Sequence, residues 1–461
     1  MSLPDQPLSP LDGRYRAAVS GLGEHLSEAG LNRARVRVEV EWLLYLTDRE
    51  LFGSTRLDHE QARALREFAA EFGTAEVARL AEFEATTRHD VKAVEYLVRD
   101  KLTELGLTSV AELTHFACTS EDINNLSYAL TIGAAMREVW LPAFRVLIDA
   151  LAAMAVEYRA VPMLSHTHGQ PATPTTMGKE LAVVVHRLRR ILAQIEATEY
   201  LGKFSGATGT FAAHLAADPD LDWQAVSQEF VTSLGLEWNP LTTQIESHDW
   251  QAELYSRIAH ANRILHNLAT DIWSYISIGY FRQIPVAGAT GSSTMPHKVN
   301  PIRFENAEAN LELSNAILDS LAQTLVTSRW QRDLTDSSAQ RNIGVGIGHS
   351  VLALDNIKRG LGQIDAAPEV LAADLDSNWE VLGEAIQTVI RAEVTAGRSS
   401  ISDPYAALKE LTRGKRIGQA ELIEFVSALE IGDEAKQRLL ALTPATYVGD
   451  AANLLEHLGA N

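Results

Sequence analysis

The chain has 461 residues, 46% of them hydrophobic, with 60 acidic against 40 basic side chains and a formal net charge of −20. That balance excludes nonspecific binding of nucleic acid or anionic membrane, which calls for a basic patch, but it permits a locally cationic pocket for a small anion. The length predicts two or three domains.

The single cysteine, Cys118, excludes an intrachain disulfide and fits a reducing compartment. The first residues lack a basic segment followed by an apolar one, so no secretory leader is expected. No unbroken apolar run approaches the ~18 residues of a membrane span. The expectation is a soluble, cytoplasmic protein.

In chain order, residues 1–30 read as irregular, with Pro4, Pro7 and Pro10 before the turn Asp12-Gly-Arg14-Tyr15. From about 31 to 110 helical patterns rich in Ala, Leu, Glu and Arg alternate with short breaks. Arg88-His89-Asp90 stands at the entry of one such helix, where His89 and Asp90 suit either a cap or a site. The polar run Thr114 to Asn125 precedes another, and Thr119 or Ser120 would cap it or leave a free N-terminus for an anion.

The centre is dominated by long 3/4-spaced apolar patterns, Leu181 to Ile195, Leu254 to Ile276, Leu311 to Leu325 and Ile343 to Leu361. Period-2 strand patterns bounded by turns are nearly absent. The expected fold is therefore all-α: an N-terminal helical domain over 1–113, a long-helix bundle over 114–366 and a small helical domain over 367–461. Such helices expose apolar stripes that subunit packing would bury, so a homo-oligomer is expected. Gly344, Gly346 and Gly348 lie inside a helical pattern, a cost that close helix–helix approach would justify.

Three stretches carry chemistry. Gly288 to Pro301 combines glycines, Ser292-Ser293, Lys298, Asn300 and two prolines, a loop of imposed shape able to offer backbone N–H groups, a cation and a hydroxyl. Ser165 to Pro174 holds His166 and His168 in a rigid polar loop. His-x-His can bind metal, but no third ligand has a recognisable spacing. General acid–base work suits His168 better, and a structural role suits His166. Arg332 and Arg341, nine residues apart, need a turn near Asp336-Ser337 to converge on one anion. Gly206-Ala-Thr-Gly209 has neither the strand nor the lysine of a nucleotide loop, and Gly291-Ser-Ser is no hydrolase elbow.

Gly291-Ser-Ser-Thr-Met-Pro-His-Lys-Val-Asn-Pro301 resembles the signature of the fumarase/aspartase superfamily. Asp12 to Tyr15, His89 to Tyr96, His115 to Asn125, Thr167 to Thr173, Thr242 to Glu246 and Ser328 to Ser337 resemble its branch acting on succinyl-purine nucleotides, across essentially the whole chain. The resemblance implies β-elimination of fumarate from adenylosuccinate and from succinylaminoimidazole carboxamide ribotide. It implies Ser292 as base, Lys298 and Asn300 as holders of the acidified carboxylate, His168 as acid and Glu305 as its orienting carboxylate. Thr119, Ser120 and Gln244 match positions that grip the succinyl part. Arg14, Tyr15, Arg332, Ser337 and Arg341 match nucleotide and phosphate contacts, with Arg88, His89 and Asp90 lining the site. No cofactor, metal, nucleic acid or membrane is implied. A homotetramer is, with active sites drawing residues from three subunits. The competing readings are another lyase of the superfamily and a catalytically silent helical scaffold.

Overall fold

The computed structural model describes residues 7–285, 295, 298–412 and 417–459. It is 67% helical, and the apolar spacing marks four of its long helices: Met177–Glu196, Asp249–Ser277, Ile302–Leu325 and Ile343–Leu361. Contacts group the chain into two compact units. The first comprises Met1–Arg145, Ile191–Leu265 and Ala307–Asp355; the second comprises Val146–Arg190, His266–Asn306 and Asn356–Asn461.

In the first unit, Trp42 packs against Phe204 and Phe230 with ring centroids 4.4 and 4.9 Å away. A buried polar chain then ties the long helices in register. Trp140 Nε1 donates to Ser350 Oγ (2.9 Å), Ser350 to Asn262 Oδ1 (2.8 Å), Asn262 Nδ2 to Ser314 Oγ (3.0 Å), and Ser314 to the Gly346 carbonyl (2.7 Å). Every member has a partner, as burial demands. The glycines of this last helix are explained by proximity. A Cβ on Gly346 would come within 3.1 Å of Ile317 and Leu318, and one on Gly348 within 2.9 Å of Leu11.

One expectation about the N-terminal region needs correction. The N-terminal region is not irregular throughout, because a helix starts directly after Tyr15 and runs Arg16–Leu26. Within the helical run Ser120–Glu157, one stretch is long and apolar enough to cross a membrane by length and composition. Arg145 and Asp149 interrupt its apolar letters, so no unbroken apolar run of that length stands in the sequence. Its side chains Trp140, Phe144, Leu147, Leu151 and Ala155 are each 0% exposed, as in the core helix of a folded protein.

In the second unit, the stretch from Ser165 to Pro174 is a β-hairpin rather than a loop. Strands Pro162–Thr167 and Gln170–Thr176 pair antiparallel, with Thr167 opposite Gln170 and a register shift between Met163 and Ser165. A two-stranded ribbon has two free edges, so prolines that cannot donate to a ladder are tolerated. Two smaller two-stranded pairings complete the strand content of the described residues. The hairpin rests on the C-terminal part through Thr173 Oγ1, which donates to Glu384 (2.5 Å). Short helices from Pro368–Asp376 onward enclose a core of Trp379, Ile386, Ile390, Leu422, Val426 and Leu439.

Candidate active site

The candidate residues of the first unit are organised around the N-terminus of helix Ser120–Ala135. Thr119 is its N-cap, and Asp122 reaches back to accept from the Thr119 N–H (2.8 Å). The same Asp122 carboxylate accepts from the backbone of Ser205 (2.9 Å) and Gly206 (3.1 Å) and pairs with Lys203 Nζ at 2.8 Å. Both ionic side chains have 0% exposure. A buried pair survives only when its remaining hydrogen-bonding capacity is filled; here three backbone N–H groups fill it. The pair thus locks the Thr119-Ser120 turn to the Gly206 loop.

In the same first turn, Glu121 Oε1 pairs with Arg332 Nη2 at 2.9 Å. Burial pushes the Glu121 carboxyl above its usual range even though Arg332 draws it down. Arg332 also donates to Gln244 Oε1 (3.3 Å), whose amide donates to the Ala207 carbonyl (2.9 Å). Asn124 connects this group to a second one. It donates to Glu121 (2.7 Å) and accepts from Arg35 Nε (2.9 Å), and Arg35 Nη2 pairs with Asp90 at 2.9 Å. Asp90 also meets Arg341 Nη2 at 3.4 Å, while Arg341 Nη1 pairs with Glu28 at 2.5 Å. Burial raises the Asp90 carboxyl, but Arg35, the Val91 N–H and Arg341 outweigh it and hold the pKa below its ordinary value.

Four of the predicted residues, Arg341, Asp90, Arg332 and Gln244, thus lie on one continuous network, joined through Arg35, Asn124 and Glu121. His89 caps helix Asp90–Glu104, its Nδ1 accepting from the Lys92 N–H (3.2 Å), and Arg88 before it is exposed in a left-handed conformation. Arg14 is exposed, its guanidinium 5.9 Å from the Tyr15 ring. The expected turn at Asp336-Ser337 is absent, because helix Thr335–Gln340 runs through it. Arg332 and Arg341 consequently reach different carboxylates instead of converging on one. Ser337 is half-buried in that helix and its N–H donates to Asp336 (2.6 Å).

A cleft of about 780 Å³ opens beside Arg332 and Gln244, lined also by Thr208, Arg329, Trp330 and Leu334. Its loop is staked by Asp333, which accepts from Thr335 N (2.8 Å), Arg329 N (3.0 Å) and Arg329 Nη1 (3.0 Å). Those backbone donors draw the Asp333 carboxyl down to about 2.

In the second unit, His168 and Gly169 form the two-residue turn of the hairpin, with φ of 54° and 71°. Positive φ at both positions defines the turn that matches strand twist, and it leaves the imidazole exposed at the tip. Lys298 and Asn300 precede helix Ile302–Leu325; Lys298 is exposed and Asn300 partly so. Glu305, in the first turn of that helix, accepts from Trp273 Nε1 (3.1 Å), and within the chain no hydrogen bond joins it to His168. Ser292 lies outside the described residues. Among the described residues, no group of three His, Cys, Asp or Glu side chains is arranged to hold a metal.

Sequence reasoning missed Arg35, Lys203 and the structural use of Glu121 and Asn124. A signal for Lys203 existed: it sits inside Leu201-Gly-Lys-Phe-Ser-Gly206, where a lysine among apolar and small residues implies a buried partner.

A lyase family model matches residues 13–315, which places the chain among the fumarase/aspartase-type lyases. A second model, adenylosuccinate lyase C-terminal, matches residues 328–448. The chain is 49% identical to the adenylosuccinate lyases of Haemophilus influenzae and Escherichia coli, in each case over 98% of both chains. The Vibrio cholerae enzyme of that name is 48% identical over the same shares. The chain belongs to the adenylosuccinate lyase family. Two solved structures share the fold at 21% identity: a fumarate lyase from Mesorhizobium sp. BNC1 (TM-score 0.74, 96% of this chain, 98% of that one) and the 3-carboxy-cis,cis-muconate lactonizing enzyme from Pseudomonas putida (TM-score 0.73, 96% and 97%).

Proposed function

We propose that the chain eliminates fumarate from adenylosuccinate, releasing AMP, and from succinylaminoimidazole carboxamide ribotide, releasing the carboxamide ribotide, in purine nucleotide synthesis. The observation that carries this reading is the 49% identity to adenylosuccinate lyases over 98% of both chains.

The difficult step removes a proton from carbon beside a carboxylate that is already negative, so the developing dianion needs fixed donors. Ser292 takes the proton. Lys298 and Asn300 hold the acidified carboxylate, and both have side chains without a partner among the described residues. His168 delivers a proton to the departing nitrogen, a role supported by its exposed place on a stiff turn, and Glu305 orients it. Thr119, Ser120 and Gln244 grip the succinyl group. Arg14, Tyr15, Arg332, Ser337 and Arg341 bind the nucleotide, with Arg88, His89 and Asp90 lining the site.

Three helical domains, 1–113, 114–366 and 367–461, and a cytoplasmic homotetramer that completes each site with residues of other subunits belong to the same reading. Fumarate release followed by absorbance, with both succinyl nucleotides, argininosuccinate, malate and aspartate as substrates, tests the reaction. Turnover of the two nucleotides alone is the expected result; turnover of another substrate in their place rejects it. Sedimentation at equilibrium reads the assembly.

A further inference from the structure

We propose that Trp330 is the surface on which the base of the substrate nucleotide stacks, and that it favours the two-ring purine over the single imidazole ring. The inference rests on the reaction proposed above. Trp330 is 92% exposed and has φ of 54°. A bulky side chain in the left-handed region is a strained outlier, and such strain persists where surrounding structure or function requires it. Phe52 has nearly the same backbone, φ 57°, but its ring packs on Phe116 with centroids 4.7 Å apart. Trp330 has no such compensation, since among the described residues its indole makes no hydrogen bond and no ring contact.

The backbone that carries it is nonetheless held in place. Asp333 ties the turn around it to Thr335 and Arg329, the Asp333 N–H donates to Ser328 Oγ (2.9 Å), and Arg332 Nε donates to the Asp333 carbonyl (3.3 Å). The loop is therefore built to present an indole rather than to let it wander. It is presented into the cleft that Arg332 and Gln244 also line, with Leu334 as a further apolar surface. A cleft of about 780 Å³ falls within the usual range for a small-molecule site. If Gln244 grips the succinyl end and Arg332 the nucleotide, the group left for the cleft's aromatic wall is the base. Aromatic faces accept any base, and stacking strength grows with ring area.

The experiment compares wild type, Trp330→Ala and Trp330→Phe on both succinyl nucleotides, with AMP titrated separately against tryptophan emission. Trp330→Ala should raise KM for adenylosuccinate about tenfold and KM for the ribotide about threefold, with kcat of each within about twofold. Trp330→Phe should recover most of both losses, and the AMP-induced emission change of wild type should disappear in it. Equal effects on the two substrates, a loss confined to kcat, or intact KM values with a changed sedimentation mass overturn the proposal, the last by assigning the indole to a second copy of the chain. Wild type that releases no fumarate yet shows the AMP response, lost in Trp330→Phe, rejects the reaction and leaves the stacking in place.

Discussion

Glu121 and Arg332 meet at 2.9 Å with 4% and 16% of their side chains exposed, joining the start of one helix to the loop that lines the cleft. A guanidinium so enclosed is fixed by its carboxylate, and the carboxylate depends on it in return.

Removing Arg332 therefore strands Glu121. Arg332→Met should lower the unfolding free energy by about 3 kcal/mol, the low end for breaking a buried pair, because Glu121 can relieve itself by taking up a proton. The double variant Arg332→Met, Glu121→Gln should recover part of that loss. Urea unfolding of the two variants at neutral pH measures the difference; equal losses would show that the pair is not coupled.

Lys203 and Asp122 give a second case. Lys203→Met should cost about 3–5 kcal/mol by leaving a buried carboxylate without its cation. Since Asp122 also holds the Thr119 and Gly206 backbones, KM for the succinyl nucleotides should rise as well. Unfolding and steady-state kinetics on the same preparation check both halves.

His115 titrates with a defined sign. Burial lowers its pKa, but the Glu39 carboxylate, 2.6 Å from Nδ1, outweighs this and leaves it raised above the ordinary 6.5. A raised folded pKa means stability that is fully present below about pH 6.5 and fades as pH rises through the folded value. Unfolding free energies measured across that window should decline, and His115→Gln should remove the decline.

Two glycines should respond in opposite directions. A Cβ at Gly178 would lie 2.3 Å from the Ala155 carbonyl and 2.5 Å from the Arg159 Cα, backbone atoms that cannot step aside. Gly178→Ala should therefore cost upwards of about 2 kcal/mol. Gly383 opens helix Gly383–Thr395 with nothing within 4 Å of an added Cβ, so Gly383→Ala should be neutral or stabilise by up to about 1 kcal/mol. Thermal melts separate the two.

For the chemistry, Ser292→Ala should still bind adenylosuccinate while kcat falls by orders of magnitude. His168→Gln should lose about 10²–10⁴-fold in the step that protonates the leaving nitrogen. A wild-type pH–rate profile in His168→Gln would move the acid elsewhere.

The helical architecture was readable because apolar spacing is a local property, and the runs ending at Ile195, Ile276, Leu325 and Leu361 became helices with buried stripes. The hairpin was not. Its prolines and polar residues read as a loop, and a two-stranded ribbon with both edges open needs no alternating apolar pattern. The site's letters were visible as motifs, but their wiring was not. Lys203 with Asp122, and Arg35 with Asp90, are pairings between distant stretches that no local pattern records. Arg332 and Arg341 read as partners because they are close in sequence, whereas helix Thr335–Gln340 sends them to separate carboxylates.

The turn at His168 and Gly169 has one more implication. On a two-residue-period ribbon, adjacent side chains emerge on opposite faces. Deleting or inserting a single residue in either arm would leave the ribbon's length almost unchanged yet turn the imidazole to the other side. The arm can tolerate drift in composition far better than drift in parity.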